Sequence, residues 1–485
     1  MGQRIPIPLG SGSYENTSKP FSAQRCVNMY VAAARDLSLN DTQLIGSPGI
    51  SQFSTVGNEP SRGASVMGSL YYIVSGQKLY SVDEFGTVID LGTITGTKRV
   101  SMANNGEKLC IVVPGGNSYV WNETTDTLAQ ITDVDFRVSD TVCFIDGFYV
   151  FTETDSKIFF NSALNDPLSF DGLDFGSAEL APDNNVTCHV NSDELYILGQ
   201  WTTELFQNIG GSGFPFQRVQ GASYEKGCHA KHSVIDWEDD FYFLGGGKNE
   251  RTTVYKAGTT SDPKNISTDS IDLAIQKFDD GEIAEAFSFT YSINGFSFVG
   301  FTIRSVNITS RTFVYNITAS EFLGRSIWFE QQTGISENAW GVQSVDFVFS
   351  KFLVSDINDG KIGVLDPDLY TEYGNVILAL KTLPPFYGDS NPIFMDYLEL
   401  TADAGQGLVI GQGSDPQVML DFSDDGARTW SSEFWSPLGK IGEYFRRTVW
   451  RRLGRVPDHS IYRFKITDSF KRVLIKLSAG VTSGI

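Results

Sequence analysis

The sequence predicts an all-β protein: an irregular β-propeller followed by a C-terminal β-sandwich of jelly-roll-like form. Three observations carry this. First, tight-turn dipeptides recur between short apolar runs: Asp146-Gly147 in "CFIDGFYVF", Asn294-Gly295 in "SINGFSFVGF", Asn105-Gly106 in "SMANNGEKLCIVV" and Asp359-Gly360 in "KFLVSDINDGKIGVLD". Both central residues of a type I′ hairpin turn need positive φ, which Asn, Asp and Gly tolerate. Second, a turn, a lysine and an apolar strand recur together in "GQKLYSVD", "GEKLCIVV", "DSKIFFNS" and "DGKIGVLD". Their spacing is irregular, as in a degenerate propeller whose blades are meanders of roughly 40–50 residues. Third, the composition is 41% hydrophobic and 13% aromatic with 48 glycines, which suits a folded core with many turns. A series of sandwich domains would give the same hairpin signals.

Taken in order, residues 1–40 are Gly- and Ser-rich with one short strand-like run, "AQRCVNMY". Such a segment cannot form a core alone, so it is expected to act as a strap on the body or on a neighbouring subunit. Residues 41–385 form the propeller-like domain. Its one helix signal is "STDSIDLAIQKF", where Ile271, Ala274, Ile275 and Phe278 share a face and Thr268 or Asp269 can cap. Pro384, Pro385 and Pro392 then break regular structure. That sets a boundary near 385, and the strand-like runs of 386–485 make the C-terminal sandwich.

No apolar stretch approaches the roughly 18 residues of a spanning helix. The N-terminus has no signal-peptide core, and Pro6 stands where a myristoylation motif after Gly2 needs Ser or Thr. Nothing marks the chain for secretion or a membrane anchor. The five widely spaced cysteines, Cys26, Cys110, Cys143, Cys188 and Cys228, are therefore expected as free thiols in a reducing compartment, and the sequons at Asn185 and Asn316 as chance.

Motifs that suggest chemistry have plainer readings. "SDDGARTW", Ser423 to Trp430, resembles the Asp-box of sialidases with Ala427 in a Gly place. That box is a structural hairpin, here predicted as a turn pinned by Asp425 and packed by Trp430. Cys188-His189 and Cys228 to His232 offer metal-ligand types, but neighbouring strand residues point to opposite faces and no CxxC pair is present. "DINDGK" has Gly360 fifth and Pro367 twelfth, against the EF-hand pattern, and "GGGK" at Gly245 lacks Walker spacing. No catalytic, cofactor-binding or metal-ligating set is predicted.

Charge is segregated. The chain carries -21 overall, yet residues 441–476 hold ten Lys or Arg against three acids, so the remainder carries -28. In "RRTVWRRLGR" an alternating strand would put Arg447, Val449, Arg451, Leu453 and Arg455 on one face and Arg446, Trp450 and Arg452 on the other, both mixed. After it, Tyr462, Phe464 and Ile466 alternate with Arg463 and Lys465, and Val473, Ile475 and Leu477 are expected to alternate likewise. Arg446, Arg447, Trp450, Arg451, Arg452 and Arg455 are the candidate interface and ion-pair residues, with Trp450 the packed anchor. A subunit or partner interface, internal ion pairs and nucleic-acid binding are the three readings of this block, in that order.

The same residues resemble a known family. "RRTVWRRLGR" after "SDDGARTW" and "GKIGEY", "SAQRCVNMYV" with "IGSPGI" near the N-terminus, and "TTELFQNIGGSGFPFQRVQGASYEKG" and "DGKIGVLDPDLYTEYG" between them resemble the packaged-DNA stabilisation, tail-hub or head-completion proteins of lambdoid short-tailed phages. The resemblance spans nearly the whole chain and brings no active site. It implies a structural virion protein of the tail, without cofactor. It further implies a hexameric ring below the portal and its adaptor (the head-to-tail connector), which closes the DNA exit channel and docks the tail needle and tailspikes. Genomic DNA would pass without tight binding. The alternative is a carbohydrate-active propeller, sialidase-like or glycan-binding, which would need several Asp-boxes and clustered arginines.

Overall fold

The computed structural model describes residues 3–34, 40–211, 213–258, 261–388 and 393–483; Gly2 and Pro392 lie outside them. Seven antiparallel sheets follow one another around a ring. Blades 1 to 6 span residues 61–93, 101–130, 139–177, 185–224, 227–265 and 287–331. The first strands of blades 1 to 4 pack on one another in turn; blade 5 meets blade 4 through Gly227–Cys228 on Glu194–Gly199 and blade 6 through Ile235–Trp237, and the inner strand of blade 7 (Val342–Val348) meets that of blade 1 (Ser61–Met67), which closes the circle. Blade 7 takes its outer strand from far upstream: Gly49–Thr55 pairs antiparallel with Lys361–Asp366.

The turns show why these residues form blades. Asp146 and Gly147 have φ of 50° and 87°, and Asn294 and Gly295 have 53° and 77°, as two-residue hairpins between twisted strands require. Asn105-Gly106 instead sits in a three-residue loop with only Gly106 at positive φ (89°). Asp359-Gly360 is not a positive-φ turn at all. A Cβ on Gly360 would lie 1.6 Å from the Val56 carbonyl, so this glycine serves the approach of the closing strand. Between blades, apolar faces interlock in successive clusters, such as Cys110, Val120, Phe151 and Phe160 between blades 2 and 3.

Helix α1 (Asp269–Ile275) is capped by Thr268 and buries Ile271 and Ile275 against blades 5 and 6. Two further short helices were not foreseen. Helix α2 (Asp280–Ala284) starts on an Asp279/Glu282 capping box, and α3 (Ile317–Leu323) runs from Asn316 to the left-handed Gly324. Both carry local end signals, but each is too short to show a helical apolar stripe.

The C-terminal part is a two-sheet sandwich that borrows strands from the N-terminus. One sheet runs Thr448–Val456, Ile393–Ala402, Val473–Ser483, Thr42–Gly46, Met29–Ala33, with Gln3–Ile7 also paired to Val473–Ser483. The other runs Cys26–Val27, Ala379–Thr382, His459–Ile466, Gln417–Ser423, Phe434–Pro437. Cys26–Val27 also pairs parallel with the last strand of blade 6 through Val27 and Glu330, so the second sheet continues into the propeller. One apolar cluster spans both parts, from Phe289, Phe329 and Trp340 through Met29 and Tyr30 to Leu398, Trp450 and Phe464.

Two strands of the basic block depart from simple alternation. In Thr448–Val456 the partner of Met395 is Gly454 and that of Tyr397 is Arg451, a bulge with Arg452 at φ 60°. The bulge turns Trp450, Leu453 and Val456 inward together and leaves Arg451, Arg452 and Arg455 exposed, so the expected pair of mixed faces becomes one apolar face and one basic face. A second irregularity between Thr401 and Ala402 skips Ile475. Leu474 and Leu477 are buried there while Val473 and Ile475 are only half-buried.

Candidate interaction surface on the sandwich edge

Among the described residues Thr448–Val456 is an edge strand, paired on one side only. Its inner face is anchored by Trp450, which is buried, lies 5.3 Å from the Phe464 ring and donates from Nε1 to the Phe434 carbonyl at 2.7 Å. Of the candidate arginines, Arg447 alone is paired among the described residues, with Glu399 at 2.6 Å. Arg446, Arg451, Arg452 and Arg455 are exposed and have no ion pair within the described chain. The edge strand thus presents a row of free guanidinium groups and unpaired backbone, and such charges and bulges keep an edge from unselective pairing.

The rest of the block is bound internally. Arg463 grips the buried Asp421 with two hydrogen bonds, 3.0 and 2.6 Å, and Lys465 bridges Asp421 and Glu433 at 2.9 and 2.6 Å. Arg463 also lies over the Trp430 ring at 3.7 Å. The Asp-box-like turn is pinned as its sequence suggests: Asp425 accepts from Thr429 Oγ1 at 2.6 Å, from the Thr429 and Arg428 amides at 2.9 Å and from Ser423 Oγ at 2.8 Å, and these donors, the Thr429 hydroxyl first, hold its carboxyl well below the usual range. Ala427 takes φ of 61°, the conformation for which glycine is the easier residue. Arg472 is fully buried and, among the described residues, donates to the Asp468 and Ile377 carbonyls alone, and burial lowers its pKa to about 10.

The other candidates are placed plainly. Cys188 Sγ contacts the Val150 carbonyl at 3.3 Å while His189 Nε2 reaches Asp236 at 2.8 Å, on opposite sides of their strand. Cys228 Sγ donates to the Ala230 carbonyl and His229 Nδ1 meets Thr252 Oγ1. No three His, Cys, Asp or Glu side chains converge as metal ligands among the described residues. Asp356 caps its own turn through the Asn358 amide at 2.7 Å, and Lys248 lies over Trp201. The five cysteines are free, four of them buried. Asn185 and Asn316 are buried, Asn316 as the α3 cap.

A second charged site escaped the sequence reading. Glu330, buried at the end of blade 6, accepts from Arg25 at 3.1 and 2.9 Å and from Arg311 at 2.7 Å. Burial pushes its carboxyl up, but the two guanidinium groups outweigh that and hold it at about 2. Three residues on, Asn28 (φ 50°) donates to the Gln332 and Leu378 carbonyls and accepts from the Gln332 amide. Lys381, also buried, binds the Ser11 and Gly12 carbonyls. So "RCVN" stitches the N-terminal segment, the propeller and the sandwich together. The isolated Arg and Asn in that run gave no local sign of this, because their partners lie some 300 positions away (|i−j| = 305 for Arg25 and Glu330).

A seven-bladed propeller fused through one core to a sandwich, with its unpaired charge on an edge strand, defines a scaffold that presents surfaces. Residues 4–370 match the model described as "Bacteriophage P22 Gp10, beta-propeller", and residues 382–482 that described as "Bacteriophage P22 Gp10, beta-sandwich". The chain therefore belongs to the bacteriophage P22 Gp10 family, a family of phage structural proteins. A comparison with curated proteins gives no match. Among solved structures it is similar to a streptogramin B lyase (10% identity, 66% of this chain and 98% of that one, TM-score 0.44). It is also similar to the Cps50 (Swd1) propeller domain of Myceliophteria thermophila (8%, 65% and 99%, 0.41) and to the computationally designed Ika8 protein (12%, 71% and 100%, 0.39). No helix among the described residues is long and apolar enough to cross a membrane.

Proposed function

We propose that this phage structural protein is the tail hub, a non-enzymatic ring that closes the DNA exit channel below the portal and adaptor and docks the tail needle and tailspikes. Six copies form the ring, which assembles in the host cytoplasm and remains in the virion tail. The family match along nearly the whole chain supports this. The observation that carries it is mechanical: propeller and sandwich share one core and one buried ion network, so a load on one part is borne by the other. A plug against packaged DNA needs that stiffness.

DNA retention on this reading is closure, not affinity. A body carrying -28 outside its basic block repels the phosphate backbone and lets DNA pass without adhering. Particles assembled without this protein should package DNA and then lose it to nuclease, and supplying the protein in trans should restore retention. The purified protein should show no tight duplex binding at physiological salt. Particles that hold their DNA without it, or salt-steep duplex binding by the pure chain, would refute the proposal.

A further inference from the structure

Two surfaces far apart in sequence are matched in chemistry. At the tip of the sandwich, the 404–416 and 439–446 loops lie side by side, with the Tyr444 ring against Gly405 and Lys440 3.5 Å from Asp415. They expose Ile410 (82%) and Phe445 (98%), with Val409 and Tyr444 beside them. Arg446 follows directly and, past the Arg447–Glu399 pair, the basic face of the edge strand; Arg446, Arg451, Arg452 and Arg455 have no ion pair among the described residues.

On the rim of blade 3, the 133–136 turn touches residues 171–174, the bulged stretch of the strand Asp166–Ser177. Asp133 Oδ2 accepts from the Phe170 amide at 3.2 Å, and Asp135 lies against Gly172. They expose Val134 (95%) and Leu173 (81%) among Asp133, Asp135, Asp171 and Asp174. None of these four carboxylates has a cation partner among the described residues, and Asp174 is pushed up by burial and then by its neighbour Asp171. Exposed apolar side chains clustered in this way mark contact sites, and here one cluster leads into a run of unpaired arginines while the other lies among aspartates, with Arg137 turned to the Gly172 carbonyl.

We infer that the sandwich tip of one copy docks on the blade 3 rim of the next, with Phe445 and Ile410 against Val134 and Leu173 and the arginines against the aspartates. The contact is head-to-tail: a two-fold arrangement of either surface would set like charges together, whereas a heterologous contact repeats and closes into a ring when its rotation allows. This rests on the self-assembly part of the proposed function and names its surfaces. The experiment separates the two, because linking is read on the purified chain and DNA retention on particles.

In a Cys143→Ser background, which leaves the four buried thiols, Val134→Cys and Phe445→Cys variants are mixed at high concentration with a short bis-maleimide. The mixture should link, and either variant alone should not. Reversing Arg446 and Arg451 to Glu, or Asp135 and Asp171 to Lys, should each cut linking at least tenfold, and combining the two reversals in opposite partners should restore it. The positions altered on the two surfaces are exposed, so melting curves should match that of the Cys143→Ser parent. Linking of Phe445→Cys to itself, no linking in the mixture, or indifference to both reversals would overturn the inference. So would particle assembly lost on arginine reversal but untouched by aspartate reversal, which would assign the tip to a different, acidic protein.

Discussion

The junction between blade 6 and the sandwich and the free edge of that sandwich use arginine in opposite ways. At the junction, Arg25 and Arg311 converge on the buried Glu330. At the edge, Arg446, Arg451, Arg452 and Arg455 stand in water without a carboxylate partner among the described residues. A buried charge is tolerated only when matched in charge and hydrogen bonds, so the first set is required by the fold. The second set is not, and it is available to another molecule. The difference teaches that residue type in a basic block says little by itself; what matters is whether a carboxylate comes to it through the fold.

The comparison breaks most sharply at its buried end. Glu330→Ala removes the buried carboxylate that joins Arg25 and Arg311, leaves each only a more exposed second partner, Glu337 and Glu15, and should cost about 3–5 kcal/mol in denaturant unfolding. Trp450→Ala, which empties the anchor of the edge strand, should cost a similar about 3–5 kcal/mol. Glu330 also sets an acid limit. Its folded pKa of about 2 lies below the ordinary carboxylate value, so its contribution is complete above about pH 4.5 and is lost as pH falls through about 2. Glu330→Gln should flatten that acid limb in a pH series of melting temperatures.

Glu372 gives the opposite sign. It is buried in blade 7 beneath Trp340, whose Nε1 donates to it at 2.8 Å, and burial raises its carboxyl to about 7. The unfolded chain ionises first, so stability should fall as pH rises from about 4.5 to about 7, by about 3 kcal/mol at full ionisation. Glu372→Gln should melt higher than the parent at pH 8 and level with it near pH 4.5.

The smallest effects lie on the edge. Arg447→Ala removes an exposed pair with Glu399 and should cost about 0–1 kcal/mol. Arg451→Ala and Arg455→Ala should stay within about 0.5 kcal/mol of the parent while reducing assembly into tails in a complementation assay. A loss of several kcal/mol from either would place these arginines with the junction set.

Fold class was legible because hairpin chemistry is local. Asp146-Gly147 and Asn294-Gly295 declare their turns through the φ values they must adopt, and Tyr462, Phe464 and Ile466 declare a buried face by alternation. What depended on distant pairing was not legible. Gly360 looks like a hairpin glycine and is one end of a close approach to Val56. Arg472 reads as one more surface charge and is buried, and the bulge at Arg452 sorts into an apolar and a basic face what simple alternation leaves mixed. The edge arginines were singled out by density of charge alone, whereas the Arg25–Glu330–Arg311 site has no such density to reveal it.

The strand that completes blade 7 governs how the protein is made. Gly49–Thr55 leaves the ribosome long before Lys361–Asp366, its partner. At about 5–20 residues per second the wait between Thr55 and Lys361 is roughly 15 to 60 seconds. Blades 1 to 6 can stack in that interval, but the circle stays open, with an unpaired strand at one end. The N-terminal strands wait longer still, for Val473–Ser483. A nascent chain stalled or truncated before Asp366 is therefore an open crescent whose bare edges can pair with other chains, and productive synthesis depends on keeping those edges apart until the last blade arrives.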